Sequence, residues 1–505
     1  MNLNQYIEDK PLQEKCGIVG LFSTKPQSLI RPAIVAAGGV QHRGQHGAGI
    51  TFYKNKKLIK FTGDGLLREI FTKDVVKKLD FPSNWFLVHC RYGTNGGYIK
   101  HNLQPCVGVS KNLGKISVVH NGELPETTHM KSTLLKNYPE GISDTYIFTQ
   151  YLASIKASSW EEKIIKALEK AEGAYSFIFG VENCLYAARD KSGIRPLILG
   201  TFKDTFMLAS ETHAFDKLGA KVVRQLEKGE ILKIDRNGIK TIKKDSSRSY
   251  HFCDFEWAYF ARPDSLMSTN ENKDSQKKEN WMSVSRFRQR CGTILASEKP
   301  IKNASFVVGL PDSGLAIAAE YANTLHLPYK QVIIRDHFDV NGSHRLFMKD
   351  DHIKKIKKKV LGKLSLVPDG HIWKDAVVVI GDDSIVRGNV SKEITRAVFS
   401  LGAKEVHWIV GFPPVKDHCH LGVSLRTKEE LVANETDGTP EHIAKSIGAT
   451  SVNYISNVGF VKAKLLSSKP DIPSRKEEIF LRNGSCGGCL TGVYPINKDG
   501  SVFKI

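Results

Sequence analysis

The sequence has no run of 18 consecutive apolar residues, which argues against a helix that spans a membrane. Its first fifteen residues are polar and lack the long apolar core of a secretory signal. It also shows no internal repeat at the spacing of solenoid proteins. With 505 residues, 41% of them hydrophobic, the chain can instead form two domains that each bury a core. We therefore expect a globular, cytoplasmic protein without a membrane partner.

Acidic side chains are fewer than basic ones, 53 against 73, and the formal net charge is +20. The basic residues are scattered, and the densest cluster, residues 354–359, has no interleaved aromatic residues on which bases could stack. We therefore predict no specific nucleic-acid partner. The excess of basic residues is most simply a general property of the composition, and the cluster is also compatible with the entry path of an anionic substrate, which positive charge attracts.

An apolar stretch in the second half of the chain ends in two carboxylates. Residues 377–380 have the pattern of a buried parallel strand, and Asp382 and Asp383 follow before a small polar loop. Apolar side chains then repeat at helical spacing as far as Gly402, a plausible helix stop. Such a loop offers N–H groups to a phosphate, and the carboxylates can hold ribose hydroxyls or a divalent cation. The stretch resembles the signature of type I phosphoribosyltransferases. The alternative is that the two aspartates only cap a solvated strand end.

A second set of motifs begins where the run Cys16-Gly17-Ile18-Val19-Gly20 follows the polar leader. Four downstream segments resemble the glutaminase domain of amidotransferases with an N-terminal nucleophile: Gln41-His42-Arg43-Gly44-Gln45, Arg91-Tyr92-Gly93-Thr94, His120-Asn121-Gly122 and Ser143-Asp144. The resemblance implies that residues 1–15 are a propeptide removed by cleavage before Cys16. The nucleophile then carries its own base, an α-amino group with a pKa of roughly 8 beside a thiol with a pKa of roughly 8.5.

The same resemblance assigns roles to the glutamine-site residues. Cys16 attacks the carboxamide, while the Asn121 side chain and the Gly122 N–H stabilise the oxyanion. Arg91 binds the α-carboxylate with its planar guanidinium, and Asp144 pairs with the α-ammonium. Taken singly, these residues also fit ordinary structural roles, namely a buried small cysteine, an Asn-Gly turn and two surface ion-pair residues. Their order along one chain favours the glutaminase.

Both ends together resemble the glutamine phosphoribosylpyrophosphate amidotransferases, the family that begins purine biosynthesis. Further family motifs lie between them, namely Ala188-Arg189-Asp190, Gly193-Ile194-Arg195-Pro196-Leu197, Ala209-Ser210-Glu211-Thr212, Gly229-Glu230 and Tyr259-Phe260-Ala261-Arg262-Pro263-Asp264-Ser265. The resemblance implies an enzyme that hydrolyses glutamine and transfers the ammonia to phosphoribosylpyrophosphate, releasing pyrophosphate and forming 5-phosphoribosylamine. It also implies feedback inhibition by purine nucleotides and a homo-oligomer, either a dimer or a tetramer.

The phosphosugar site is carried over from the family residue by residue. The residues assigned to phosphoribosylpyrophosphate are Asp382, Asp383, Ser384, Arg387, Gly388, Asn389, Val390, Ser391 and Arg345, and those assigned to Mg²⁺ are Ser313, Asp382 and Asp383. Asn389 and Val390 stand where the family has two threonines that hold the 5-phosphate, and a lid motif is altered between Arg335 and Phe347. Two alternatives therefore stay open, a nucleotide-sensing regulator and an amidotransferase that acts on a different phosphosugar acceptor.

Nine cysteines in a chain without a secretory leader do not suggest a disulfide framework. Two of them form a Cys-x-x-Cys pair near the C-terminus, and iron–sulfur members of the family combine such a pair with two earlier cysteines. The four matching positions are Cys253, Cys419, Cys486 and Cys489. The resemblance therefore implies a [4Fe-4S] cluster, and zinc is the alternative for four thiolates.

A polar stretch, residues 243–249, follows a strand-like segment and predicts a connection between two domains. We predict a glutamine amidotransferase domain over residues 16–245 and a phosphoribosyltransferase domain with a cysteine-containing tail over residues 252–505. The first has a β-rich pattern with interposed helices, and the second alternates strands and helices around a parallel sheet. The resemblance specifies an α+β N-terminal-nucleophile glutaminase domain with layered antiparallel sheets, followed by an α/β type I phosphoribosyltransferase domain.

Overall fold

The structure is a computed structural model, and it describes residues 16–92, 100–134, 138–268, 280–335, 364–425, 427–435, 438–466 and 469–503. The predicted propeptide, residues 1–15, lies outside the described residues. So do the lid residue Arg345 and most of the altered segment around it.

The elements of the first half are the strands β1 (Gly17–Gln27), β2 (Gly47–Lys54), β3 (Lys57–Asp64), β4 (Ser83–Arg91), β5 (Cys106–Ser110), β6 (Gly114–Glu123), β7 (Ala174–Val181), β8 (Cys184–Arg189), β9 (Ile198–Phe202), β10 (Thr205–Ala209), β11 (Lys221–Gln225), β12 (Glu230–Asp235) and β13 (Gly238–Lys244), and the helices α1 (Ile30–Gly38), α2 (Leu67–Ile70), α3 (Lys73–Lys78), α4 (Thr128–Leu134), α5 (Asp144–Ser154), α6 (Trp160–Glu169) and α7 (His213–Asp216).

The elements of the second half are the strands β14 (Phe252–Cys253), β15 (Leu266–Ser268), β16 (Trp281–Ser283), β17 (Phe306–Gly309), β18 (Ile333–Arg335), β19 (Leu364–Leu366), β20 (Val377–Asp382), β21 (Glu405–Val410), β22 (Ser451–Tyr454) and β23 (Ser485–Cys486), and the helices α8 (Val284–Glu298), α9 (Leu315–Leu325), α10 (Gly370–Trp373), α11 (Asn389–Ser400), α12 (Val432–Glu435), α13 (Pro440–Ile447), α14 (Asn457–Lys464), α15 (Ile479–Arg482) and α16 (Gly488–Thr491).

Two antiparallel sheets face each other in the first half. Their strand orders are β11-β9-β10-β1-β4-β2-β3 and β13-β12-β8-β7-β6-β5. Alternate residues of the strands, among them Ile18, Leu87 and Val119, fill the layer between the sheets. The helices α1, α5 and α6 cover the outer faces with their own apolar side chains. The result is a four-layer helix–sheet–sheet–helix sandwich, which confirms the predicted glutaminase fold.

The second half is built around a parallel sheet with the order β17-β20-β21-β22. Val379 packs towards α8 and α9, while its neighbour Val378 packs towards α11. Both faces of β20 are therefore buried, as its continuous apolar run predicts. The predicted helix is also present, since α11 ends at Ser400 and Gly402 follows in a left-handed conformation with a φ of 104°. This sheet confirms the predicted α/β domain.

The two halves share a packed junction. Ala174 and Ile194 of the first half belong to the same apolar cluster as Phe255 and Phe480 of the second.

Among the described residues, none of the helices combines the length and the apolarity needed to cross a bilayer. β13 ends at Lys244 and β14 begins at Phe252, which leaves the polar stretch between them as the connection. The exact domain bounds stay a prediction.

Candidate active sites

Cys16 directly precedes β1, at one end of the sandwich. In the antiparallel register between β1 and β4, Gly17 lies opposite Cys90, so Cys16 comes next to Arg91 at the end of β4. Nε of Arg43 donates a hydrogen bond to the carbonyl oxygen of Cys16 at 3.4 Å. The thiol is only partly buried. The antiparallel pairing thus brings together the candidate nucleophile and an arginine that is 75 positions away in the sequence.

Arg91 and Asp144 lie around one buried thiol, that of Cys106. Burial raises the pKa of Cys106 to about 12, and Asp144 acts in the same direction while Arg91 opposes it. Asp144 is the first residue of α5, and Ser143 caps that helix by accepting the Tyr146 N–H. One Asp144 oxygen accepts the N–H of Leu124 at 2.8 Å. The two residues assigned to the charged ends of glutamine therefore both act on the same buried thiol.

Asn121 and Gly122 lie in β6, beneath this end of the sandwich. Asn121 is fully buried, and neither its amide nitrogen nor its amide oxygen has a hydrogen-bond partner among the described residues. An unsatisfied buried amide is costly, so each one needs an explanation, and a substrate atom that the amide binds is one. Gly122 has a φ of 144°, and a Cβ here would lie 2.0 Å from the carbonyl oxygen of Ala174. Only glycine fits this close approach of backbone to backbone.

A buried ion-pair network behind Cys16 was not predicted. Arg43 is fully buried, and its guanidinium contacts Glu211 at 2.5 Å and Glu256 at 2.6 Å. His42 contacts the same Glu211 oxygen as Arg43, at 2.8 Å. Burial alone would raise the pKa of Glu211, but His42 and Arg43 hold it below its ordinary value. The motifs contain His42, Arg43 and Glu211, but no sequence pattern pairs residues this far apart.

The carboxylates of the phosphosugar motif lie at the carboxyl end of β20. Asp382 and Asp383 are 8% and 3% exposed. The Asp383 N–H donates to Asp382 at 2.8 Å, and the hydroxyls of Ser384 and Ser313 bond to Asp383. Burial raises the pKa of both carboxyl groups, and the charge of Asp383 raises that of Asp382 further. The carboxylates, Ser384 and Ser313 thus form one cluster at the sheet edge.

Glycines allow the chain to close around this cluster. A Cβ on Gly314 would lie 2.2 Å from the carbonyl oxygen of Gly381, so Ser313 can reach the strand end only because its neighbour is glycine. Gly388 has a φ of 75° and precedes the first turn of α11. Asn389 is partly exposed, Val390 is 37% exposed, and Ser391 is buried in that first turn. The loop therefore meets a helix N-terminus, as predicted.

Arg387 has a partner that the sequence did not indicate. Its Nε donates to Glu430 at 2.9 Å, and the two side chains are only 15% and 6% exposed. The Val432 N–H donates to the carbonyl oxygen of Val386 at 2.8 Å, which fixes the same segment to the loop. The assignment of Arg387 to the substrate stays a prediction, and the structure adds Glu430 as a residue that holds its guanidinium.

A second unexpected arginine lies beneath the carboxylates. Arg288 of α8 is 2% exposed and donates to the carbonyl oxygens of Tyr259 and Ala261 at 3.1 and 3.0 Å. Its positive charge acts on both Asp382 and Asp383 and opposes the rise in their pKa. A single basic residue in an amphipathic helix carries no sequence signal for such a position.

The four candidate cluster cysteines come from three chain segments that meet at the junction. Cys253 of β14 and Cys486 of β23 are paired in a parallel ladder. The sulfur of Cys419 accepts the N–H groups of Leu421 and Val423, each at 3.4 Å. Burial raises the pKa of Cys253 to about 12 and that of Cys489 well above its ordinary value, and Cys419 and Cys253 raise the latter further. Within the described part of the chain, no group of three or more His, Cys, Asp or Glu side chains is arranged to hold a metal ion.

An antiparallel sandwich with a cysteine at its edge, joined to a parallel sheet that ends in two aspartates, defines a glutamine amidotransferase fused to a phosphoribosyltransferase. A family model described as a glutamine amidotransferase domain matches residues 96–217. The amidophosphoribosyltransferase of Rattus norvegicus is 33% identical over 98% of this chain and 99% of its own length, and that of Bacillus subtilis is 32% identical over 97% and 95%. The chain therefore belongs to the amidophosphoribosyltransferase family.

Solved structures agree with this assignment. The B. subtilis glutamine phosphoribosylpyrophosphate amidotransferase complexed with ADP and GMP has a TM-score of 0.80 at 31% identity and covers 95% of this chain and 97% of its own. A structure described as the allosteric regulatory enzyme of purine biosynthesis has a TM-score of 0.82 at 30% identity, with coverages of 96% and 98%.

Proposed function

We propose that this protein is a glutamine-dependent amidophosphoribosyltransferase that makes 5-phosphoribosylamine from glutamine and phosphoribosylpyrophosphate, the first step of purine biosynthesis. The observation that carries the proposal is that the β1–β4 register places Arg91 next to Cys16, while Asp144 lies 3.8 Å from His120, the neighbour in β6 of Asn121, whose amide has no partner among the described residues. A protein that only senses a nucleotide has no use for a glutamine-binding site around a nucleophilic thiol.

In the first half-reaction, the Cys16 thiolate attacks the glutamine carboxamide carbon. The α-amino group of mature Cys16 accepts the thiol proton and returns it to the departing ammonia, which leaves a thioester that water hydrolyses to glutamate. The unpartnered amide of Asn121 and the N–H of Gly122 are fixed donors for the oxyanion, so they need no rearrangement during the reaction. Arg91 and Asp144 orient the substrate by its two charged ends.

In the second half-reaction, ammonia attacks the anomeric carbon of phosphoribosylpyrophosphate and pyrophosphate leaves. Asp382 and Asp383 bind the ribose hydroxyls, and the N-terminus of α11 with the loop before it binds the 5-phosphate. The carboxylates also fit Mg²⁺ together with Ser313, because oxygen ligands suit this ion and a cation relieves the repulsion that raises the pKa of Asp382. A bound Mg²⁺ would neutralise charge on the leaving pyrophosphate.

The direct test is pyrophosphate release from phosphoribosylpyrophosphate, measured first with glutamine and then with ammonium as the nitrogen donor. We expect turnover with both donors. Glutamine hydrolysis without any pyrophosphate release would point to a different phosphosugar acceptor. Nucleotide binding without release from either donor would point to the regulator.

The paired substitution Asn389→Thr and Val390→Thr tests the departure from the family at the phosphate loop. Val390 offers the phosphate only its backbone N–H, so a threonine hydroxyl adds one hydrogen bond. We expect the Michaelis constant for phosphoribosylpyrophosphate to fall about tenfold, because one net hydrogen bond contributes about 1.4 kcal/mol. Lys392→Thr on the same helix is the control and should have little effect. If the pair changes nothing and calorimetry detects no phosphoribosylpyrophosphate binding to the native protein, the loop serves another acceptor.

The four cysteines fit a [4Fe-4S] cluster in donor chemistry, and three of them are buried while Cys419 is partly buried. A single tetrahedral zinc ion would hold its thiolates about 3.8 Å apart, given a Zn–S distance of about 2.3 Å. A cubane needs them farther apart, because its own iron and sulfide atoms lie between them. The thiols influence each other electrostatically, which supports one shared site for the four of them, and the sulfur–sulfur distances in the loaded protein would distinguish a cubane from zinc. Cys253, Cys419, Cys486 and Cys489 would hold it as thiolates.

Anaerobically purified protein should therefore be brown and carry about four iron and four sulfide per chain. Cys486→Ser should lose most of the iron and lower the melting temperature, because the cluster ties β14, the turn around Cys419 and the C-terminal segment together. The matched control is Cys291→Ser, which alters an equally buried thiol of α8 and should keep the iron. Stoichiometric zinc with no iron would contradict the cluster.

The remaining features of the proposal concern partners and compartment. One of the related structures is complexed with ADP and GMP, and we propose purine nucleotides as feedback inhibitors of this protein as well. We also propose a homo-oligomer. None of the nine cysteines is in a disulfide, which favours a reducing compartment such as the cytoplasm.

A further inference from the structure

Arg195 lies between two of the four cluster cysteines. It is 1% exposed, and Nη2 donates to the carbonyl oxygen of Leu421 at 3.1 Å. Leu421 in turn donates its N–H to the sulfur of Cys419. On the other side, the Cys253 N–H donates to the carbonyl oxygen of Ile194, the residue before Arg195. A buried arginine of the amidotransferase half is therefore part of the wall around the four thiols.

One nitrogen of this guanidinium has no partner among the described residues. Nη1 contacts Glu256 at 3.0 Å and Nη2 is bonded to Leu421, but Nε is buried without a hydrogen-bond partner among the described residues. The turn after Cys419 closes on the group so tightly that a Cβ on Gly422 would lie 2.5 Å from Nη2. A buried charged donor without an acceptor is costly. Because the guanidinium lies beside Cys253 and Cys419, its position points to a cysteine sulfur as the acceptor.

We propose that Arg195 is a positioning residue of the four-cysteine site, whose Nε–H donates to a cysteine sulfur of the bound cluster and whose charge protects the cluster from oxidation. This inference rests on the proposed [4Fe-4S] cluster. Metal binding creates sulfur acceptors beside this guanidinium, because the free thiols must lose their protons to become ligands. Hydrogen bonds to cluster sulfurs and nearby charge are established means of tuning such sites.

The direction in which Arg195 affects oxidation of the cluster follows from its positive charge. Four thiolates give the site a net negative charge in a buried, low-dielectric setting, where a neighbouring cation is worth more than in water. Oxygen damages the cluster by removing an electron, which makes the site less negative. Arg195 stabilises the more negative state and so opposes this step. Glu256 also pairs with Arg43, which donates to the carbonyl oxygen of Cys16. Arg195 and Arg43 therefore share one carboxylate.

The test compares Arg195→Gln and Arg195→Lys with the same two substitutions at Arg224. Arg224 is a matched control because it is also largely buried and pairs with a glutamate, Glu230, at 2.7 Å. We expect air to bleach the reconstituted cluster of Arg195→Gln about tenfold faster than that of wild type. The reason is that the variant loses about one charge-assisted hydrogen bond to the cluster. Arg195→Lys should be intermediate, and both Arg224 variants should match wild type. Loading of Arg195→Gln with a wild-type bleaching rate would overturn the proposal.

A second measurement needs no variant. Wild-type holoprotein labelled with ¹⁵N-arginine is frozen and reduced by irradiation at low temperature, which makes the cluster paramagnetic whatever its reduction potential. We expect pulsed EPR to detect a ¹⁵N hyperfine coupling that is absent from unlabelled protein. An iron–sulfur signal without this coupling would refute the role of Arg195 alone. Protein that binds no iron under anaerobic reconstitution would refute the cluster and, with it, this inference.

Discussion

Cys16→Ala should lower glutamine-dependent synthesis of phosphoribosylamine by about a thousandfold or more, because it removes the only nucleophile of the first half-reaction. Synthesis with ammonium should stay within about twofold of wild type, since the phosphosugar site lies at the edge of a different sheet. Pyrophosphate and glutamate release, measured separately with each nitrogen donor, distinguish the two reactions.

The matched control is Cys90→Ala. Cys90 lies opposite Gly17 in the β1–β4 register, so it is close to the site, but its thiol is fully buried. This variant should keep glutamine-dependent activity. A Cys16→Ala protein that still uses glutamine, or an active enzyme whose intact mass retains residues 1–15, would contradict the mechanism. In the second case the amine proposed as the base would still be part of a peptide bond.

Replacing Asp382 and Asp383 together by asparagine should abolish Mg²⁺-dependent turnover of phosphoribosylpyrophosphate with either nitrogen donor. The amides keep the size of the side chains and can still accept the hydrogen bond between the two residues, but they no longer attract a cation. Glutamine hydrolysis at Cys16 should survive, so the expected readout is glutamate release without pyrophosphate release.

The same substitution should not destabilise the free protein. The folded-state pKa of each carboxyl group is raised above its unfolded value. Ionisation therefore costs stability as the pH rises above the unfolded pKa, and the cost is present at neutral pH. Asparagine removes that cost, so the melting temperature at neutral pH should be equal or higher. Asp369→Asn, at an exposed helix cap, is the control for activity. A folded double variant with normal pyrophosphate release would show that the carboxylates have another role.

Local sequence was sufficient for the elements that present the chemistry. The strand β20, the loop after Asp383 and the helix α11 were predicted in order, because apolar run, small polar loop and helical periodicity are properties of neighbouring residues. The positive φ of Gly388 likewise fits the tight turn into the helix. The fold class and the family membership are confirmed, whereas the individual site assignments stay predictions.

Local sequence patterns could not predict which distant side chains pair with each other. Glu430 as the partner of Arg387, and Arg288 beneath the two aspartates, connect residues on elements that meet only when the parallel sheet and its helices pack. Such pairs depend on topology and register, and a surface lysine or arginine has the same sequence signal as a buried one. The family resemblance suggested four cysteine ligands, but only the β14–β23 ladder brings Cys253 and Cys486 side by side.

The sequence by itself determined the two domain types and indicated the candidate nucleophile and the acidic phosphosugar motif, because each is written in a short stretch whose residues act together. The tertiary structure alone decided how these stretches depend on each other. Glu256 joins Arg43 near the nucleophile to Arg195 near the cysteines, across separations of 213 and 61 residues. The physical reason is that a buried charge is stable only beside its counter-charge, and the chain can satisfy this condition only after both domains have folded against each other.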